Sequence, residues 1–175
     1  LVGRLLRRVR PATRAPSRDP RVLVIRPDQL GDVLLSRPAI DALAQALPRA
    51  RLTVAVGPWG RPALGHTPGY QVLLCPFPGL SRMRLGPFRP YILLLQYAAL
   101  LRRQRYDMAL VLRPDHWWGA LLAALAGIPI RVGYLTPETA PFLTTALPET
   151  PERHVPEQSL ALAGAAARRA GRAHN

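Results

Sequence analysis

Lysine is absent from this chain: all 24 of its basic residues are arginine. Only 10 acidic residues oppose them, which leaves a formal charge of +14. A surplus of that size suits polyanions, whether nucleic acid, anionic lipid or a phosphorylated sugar. Its blander origin is a genome that favours Arg, Ala and Pro, and the 20 prolines fit that reading equally well. Cysteine is nearly absent too. The lone Cys75 rules out an internal disulfide and makes a reducing cytosol the simplest compartment. Lying between the strand-like Val72-Leu73-Leu74 and Pro76, it reads as an inert core thiol. Aromatic residues make up only 6%, so the core must be built from Leu, Ala, Val and Ile. At 49% hydrophobic, the chain is not a disordered polyelectrolyte.

Other absences narrow the function. The apolar runs at 91–101 and 117–130 fall short of the ~20 residues that span a bilayer. The basic start has no continuous apolar region with a small-residue cleavage site, so it does not read as a secretory signal. No Gly-x-Gly-x-x-Gly follows the first strand and no Walker A motif occurs, which argues against a dinucleotide or P-loop protein. No Cys/His cluster suggests a metal site. Neither a nucleic-acid motif nor an aromatic stacking platform is present. The expectation is therefore no cofactor, no metal and no specific nucleic-acid partner.

What is present is organised around Arg21-Val22-Leu23-Val24-Ile25-Arg26-Pro27-Asp28-Gln29-Leu30-Gly31-Asp32. The four apolar residues suit a strand buried on both faces of a parallel sheet, and Pro27 stops it at Arg26. Gly31-Asp32 then opens a helical pattern in which Leu34, Leu35, Ala39, Ala42, Leu43, Ala46 and Leu47 are the expected buried side. Pro48 ends it. Arg51–Val56 reads as a second strand, giving strand–helix–strand in one βαβ unit. A short helix near 59–64 and a brief strand at 72–74 follow. Residues 76–90 read as a long Gly/Pro/Arg loop carrying Arg82, Arg84 and Arg89, which suits a phosphorylated ligand or simply an Arg-rich surface. Residues 90–105 read as a helix with Tyr91, Ile92, Leu95, Ala99 and Leu100 inward. A fourth strand at 106–112, a helix at 117–126 capped by Gly127, and a fifth strand at 130–134 complete the pattern.

The predicted organisation is a basic arm at 1–20, a Rossmann-like α/β domain at 21–150, and a Pro-containing linker with a C-terminal helix at 151–175. The arm has Arg and apolar residues at roughly helical spacing, which suits either contact with an anionic membrane or a solvated terminus. In open α/β sheets ligands gather where strands end and helices begin. That places Asp32 and Asp28 at one strand end, and Arg113-Pro114-Asp115-His116 at another on the same sheet edge.

The run Ile25-Arg26-x-Asp28-x-Leu30-Gly31-Asp32-Val33-Leu34-Leu35-Ser36-x-Pro38-Ala39 resembles the first block of the bacterial heptosyltransferases, glycosyltransferase family 9. Tyr106–Arg113 with Trp118–Tyr134 resembles a second and third block, and His154 with the helical 159–169 stretch a fourth. The resemblance covers roughly residues 21–170. It implies a fold that is one half of a GT-B enzyme, a parallel sheet flanked by helices. It also implies an inverting, direct-displacement transfer of sugar from a nucleotide-sugar such as ADP-heptose to a lipopolysaccharide-core or similar anionic glycolipid. The general base it implies is Asp32, with Arg26, Asp28, Gly31, Arg113 and His116 on the acceptor side. From the residues alone, Asp32 is equally a dipole-stabilised helix N-terminal residue, and Asp28 either binds sugar hydroxyls or holds Arg26.

The family's second domain carries a Lys-containing loop and an Asp-Thr-Gly-like motif, and neither occurs here. The chain is thus expected to be the acceptor-side half and inactive alone. It would be cytoplasmic, with peripheral contact at the inner membrane face as an option. A non-enzymatic basic binding module, or an inactive remnant of such an enzyme, remains the alternative. Whether the 157–170 helix packs on this domain is left open by the sequence.

Overall fold

The computed structural model describes residues 19–65, 69–79, 88–149, 152 and 154–172. The basic arm, apart from its last two residues, lies outside them, as do Arg82 and Arg84.

Among the described residues six strands form one parallel sheet: β1 (Arg21–Arg26), β2 (Arg51–Val56), β3 (Tyr70–Leu74), β4 (Met108–Val111), β5 (Ile130–Leu135) and β6 (Thr145–Pro148). Their order is β3-β2-β1-β4-β5-β6. β1 is central, with Val24 opposite Val54 on one side and Leu110 on the other. Pro27 ends it as expected, because proline has no N–H to extend the ladder. Alternate β1 residues point to opposite faces. Val22 and Val24 pack beneath α1 (Leu30–Ala46), the short α2 (Arg61–Leu64) and α5 (Val155–Arg172). Leu23 and Ile25 pack beneath α3 (Arg89–Gln104) and α4 (Trp117–Leu125). A sheet covered by helices on both faces accounts for the unbroken apolar runs of β1 and β4.

The ends of the elements follow their sequence signals. Gly127 adopts φ +74°, its N–H bonds to Ala124 O at 3.0 Å, and the Ile128 N–H reaches Ala123 O at 3.2 Å. Together these form the glycine-terminated cap that releases the chain into β5. Arg105 takes the same left-handed role after α3, with φ 54°.

Three expectations need correction. In α1 the buried residues are Val33, Ser36, Ala39, Ile40 and Leu43, whereas Leu34 and Leu35 are about half exposed. The β-branched side chains, not the leucine pair, face the sheet. In α3 the inward residues are Leu94, Ala98 and Leu101, while Tyr91, Ile92, Leu95 and Leu100 point out. This helix is apolar nearly all round, so periodicity could not select a face. The Tyr97 hydroxyl, donating to Leu74 O at 3.0 Å, helps set its rotation. β6 is an addition, a short edge strand ending at Pro148 with alternate residues exposed. Edge strands carry little of the apolar signal that marks central ones.

α5 packs along α1. Leu162, Ala163 and Ala166 are buried there, Ser36 and Ser159 meet at 3.3 Å, and the Tyr134 hydroxyl donates to Gln158 O at 2.9 Å. Among the described residues no helix is long and apolar enough to cross a membrane.

Candidate functional site at the sheet switch point

The strand order reverses direction between β1 and β4, and crevices at such points receive ligands in open α/β sheets. The loops leaving these two strands are joined here by charge. Asp28 lies two residues beyond β1 and is buried. Its Oδ1 accepts from Arg113 Nη1 at 2.7 Å, and its Oδ2 stands 3.1 Å from Arg26 Nε. The second contact is an ion pair without hydrogen-bond geometry, since neither of those two atoms has a hydrogen-bond partner. Arg26 is also buried, and that burial lowers its pKa, with Asp28 and then Asp32 opposing the shift through their charges.

Arg113 continues the ladder outward. Its Nε donates to Asp115 Oδ1 at 2.6 Å and its Nη2 to Asp115 Oδ2 at 3.2 Å. That two-point hydrogen bonding holds Arg113 firmly protonated, above the usual guanidinium range, and holds Asp115 below the usual carboxylate range. The Asp115 side chain is 61% exposed, so the outer end of the ladder meets solvent.

His116 is buried and caps α4: its Nδ1 accepts the Gly119 N–H at 3.2 Å. Nδ1 is therefore the acceptor nitrogen, and the neutral ring carries its proton on Nε2. Phe77 stands edge-on to the ring at 5.3 Å. Burial, followed by the Arg113 charge, pushes the His116 pKa down to about 4. His116, Arg113 and Asp115 line a cavity of about 470 Å³ with Pro78, Gly79, Pro90, Tyr91, Trp117 and Trp118.

Asp32 occupies the first turn of α1, half-buried at the same edge of the sheet. Gly31 beside it faces open space, with nothing beyond its own chain neighbours and helix backbone within 4 Å of where a Cβ would stand. Of the two roles considered for Asp28, the geometry realises the bracing of Arg26. It also adds a second partner, Arg113, that sequence reasoning did not pair with it. Arg26, Asp28, Arg113 and His116 are thus brought to one end of the sheet, the inner pair buried and the outer pair bordering the cavity. His154 lies outside this group, exposed just before α5.

Two contributors escaped the sequence reading. Trp59, in the turn after β2, donates its indole N–H to Asp28 O at 2.9 Å and so pins the β1 loop from the other side. Its only signal was an aromatic residue inside a Gly-Pro-Trp-Gly turn. Thr136 and Thr139, buried beyond β5, bond each other at 3.0 Å, and Thr139 Oγ1 donates to Tyr134 O at 2.7 Å. Cys75 is buried, and its thiol is pushed up to about 12 by desolvation, as an inert core cysteine should be.

No family model matches the sequence. The chain is 33% identical over 115 residues to lipopolysaccharide heptosyltransferase 2 of Escherichia coli K12, a match covering 65% of this chain and 31% of that protein. Its fold matches the solved structure of E. coli ADP-heptose LPS heptosyltransferase II with a TM-score of 0.63 and 27% identity, over 82% of this chain and 40% of that one. It also matches a glycosyl transferase family 9 structure from Veillonella parvula with a TM-score of 0.69, over 85% of this chain and 41% of that one. At 19% identity that second likeness speaks for the fold. The chain thus spans less than half the length of the proteins it matches. The expected Rossmann-like α/β fold, corresponding to one half of a GT-B glycosyltransferase, is borne out.

Proposed function

We propose that this chain, a relative of the family 9 heptosyltransferases across its folded region, forms the acceptor-side half of a glycosyltransferase. That enzyme would move a sugar from a nucleotide-sugar, ADP-heptose or a close analogue, to an anionic glycolipid of the lipopolysaccharide-core kind. The observation that carries the reading is the convergence of Asp32, the Arg26–Asp28–Arg113 ladder and the His116 cavity at the switch point of a sheet related to heptosyltransferases.

The chemistry assigns each residue a task. Asp32 takes the proton of the acceptor hydroxyl as its oxygen attacks the anomeric carbon. The nucleoside diphosphate leaves from the opposite face, so the configuration inverts. A carboxylate placed against the acceptor hydroxyl can take that proton as the new bond to the anomeric carbon forms. Arg113 presents a planar fork suited to phosphate or carboxylate, and Asp115 now occupies two of its donors. An anionic group of the acceptor takes the place of that exposed carboxylate. Asp28, braced by Arg26 and Trp59, keeps the fork aimed while the exchange occurs. His116, neutral with its proton on Nε2, keeps that N–H buried and unpartnered beside the cavity, where it is left for an acceptor group to reach. Gly31 leaves room for the acceptor beside Asp32. The nucleotide contacts come from a second Rossmann-like domain facing this one, and this half alone turns over little or nothing.

The test joins this chain to the remaining portion of E. coli lipopolysaccharide heptosyltransferase 2 and follows transfer from ADP-heptose to a lipopolysaccharide-core acceptor. Asp32→Asn should lower kcat by about 10²–10⁴-fold with KM little changed, the usual worth of a general base. An unchanged kcat removes Asp32 from the mechanism. Enzyme-like turnover by the 175-residue chain alone overturns its assignment as an acceptor-side half.

A further inference from the structure

The corrected rotation of α3 leaves a second apolar face turned outward, exposed among the described residues. Phe88, just before the helix, is 76% exposed, and Tyr91, Ile92 and Leu95 are 60%, 53% and 64% exposed. Ala99, one turn further, is exposed as well. Their spacing of three and four residues stacks them in one stripe along the helix. Trp117, 43% exposed at the start of α4, extends the stripe, because it and Tyr91 border the same cavity. A chain that exposes several large apolar side chains in one row is marking an interaction surface.

The charges around the stripe identify what covers it. α3 contains Arg89, Arg102 and Arg103 and no acidic residue. All three arginines are exposed, one at the start of the helix and two at its end. A helix with an apolar outer stripe bounded by arginines is built to lie in the interface of an anionic bilayer. Its apolar side chains enter the acyl boundary while the guanidinium groups stay among the phosphates. Tyr and Trp rings at the edge of the stripe suit the headgroup level. A second copy of this chain fits the surface poorly, since it brings the same +14 charge and its own α3 has no carboxylate to pair with these arginines.

We propose that α3, continued by Trp117, docks this chain on an anionic membrane surface and so sets the mouth of the His116 cavity against the lipid headgroups. The docking face stands whether or not the cavity takes a sugar, because lipid without any sugar acceptor is enough to engage it.

The experiment is co-sedimentation of the 175-residue chain with vesicles of phosphatidylglycerol and phosphatidylcholine, and with phosphatidylcholine alone. Binding should require the anionic lipid and persist in part at raised salt, where the remaining attraction is apolar. Ile92→Gln combined with Leu95→Gln keeps good helix formers on an exposed face. It should weaken binding by about tenfold or more, and most clearly at high salt. Leu160→Gln, exposed on the opposite layer of the domain, should leave it unchanged. Arg102→Gln combined with Arg103→Gln should weaken binding chiefly at low salt, as expected for headgroup contacts. Equal binding by wild type and the α3 variants overturns the proposal. So does a wild-type chain that ignores anionic vesicles, or one that forms a dimer dissociated by the Ile92/Leu95 changes with vesicle binding intact.

Discussion

Asp28 accepts a 2.7 Å hydrogen bond from Arg113 across 85 residues of sequence, and this one contact ties the loop after β1 to the loop after β4. On its other oxygen Asp28 faces Arg26, so a single buried carboxylate stands between two guanidinium groups. Removing one partner of a buried ion pair leaves the other charge uncompensated, which costs far more than the net worth of the pair. Asp28→Asn should therefore lower stability by about 3 kcal/mol, read from urea denaturation at neutral pH. Arg26→Met added to that variant should recover part of the loss, because the uncompensated charge is then gone. A destabilisation below about 0.5 kcal/mol, the scale of a surface pair, would show that Asp28 is not the keystone of the loop pair.

His116 makes stability depend on pH in a defined window. Its pKa in the folded chain is held down at about 4 by burial and by Arg113, against an ordinary value of 6.5. The unfolded chain thus binds a proton that the folded chain refuses. Stability from the neutral ring is complete above pH 6.5 and is lost as pH falls from 6.5 towards 4. Between pH 7.5 and pH 5 the loss should be about 2 kcal/mol. His116→Asn keeps a capping side chain at the start of α4. That variant should show a shallower decline over the same range in urea titrations. Parallel curves for the two proteins would mean that His116 protonates freely in the folded state.

Much of this arrangement was legible in the sequence, and the reasons differ by element. β1 and β4 were readable because strands buried on both faces are unbroken apolar runs, and Pro27 and Gly127 marked the ends of their elements. The site edge was readable because Asp28, Asp32 and Arg113–His116 each follow a strand directly. The pairing across that edge was not. Nothing local in Arg26, Asp28 or Arg113 says which carboxylate meets which guanidinium in a chain with 24 arginines. Helix rotation failed for a related reason: α3 offers apolar residues on every face, and what decides is the neighbour it packs on, not its own period. The Trp59 clamp depends on where a turn places an indole, a property of backbone geometry rather than residue order.

Gly119 is required by the same ring. A Cβ at this position would run into the His116 imidazole and stand 3.0 Å from Ile25 Cγ2, with both side chains packed in place. Overpacking of this kind typically costs about 1–3 kcal/mol. Gly119→Ala gains about 1 kcal/mol of helix propensity in exchange. The expected net effect is a destabilisation of up to about 2 kcal/mol. It should be accompanied by a shift of the His116 ring signals in NMR spectra, because the ring has to move. A stabilised variant with unmoved ring signals would show that the close approach of the two residues is not real.

The last helix belongs to the core. α5 buries Leu162 completely against α1 and the sheet, and Ser159 beside it meets the buried Ser36. Truncating a buried leucine removes its transfer free energy and leaves a cavity, typically costing about 2–5 kcal/mol. Leu162→Ala should lower stability by about 3 kcal/mol, with far-UV and near-UV signals still lost together in one transition. Were α5 only a tether leading elsewhere, the substitution would change stability by a few tenths of a kcal/mol, as surface substitutions do. A separate early transition confined to helical signal would mean that α5 unfolds independently of the sheet. The single cooperative loss is the expected result, since α5 shares with α1 and α2 the cover of the sheet face that carries Val22 and Val24.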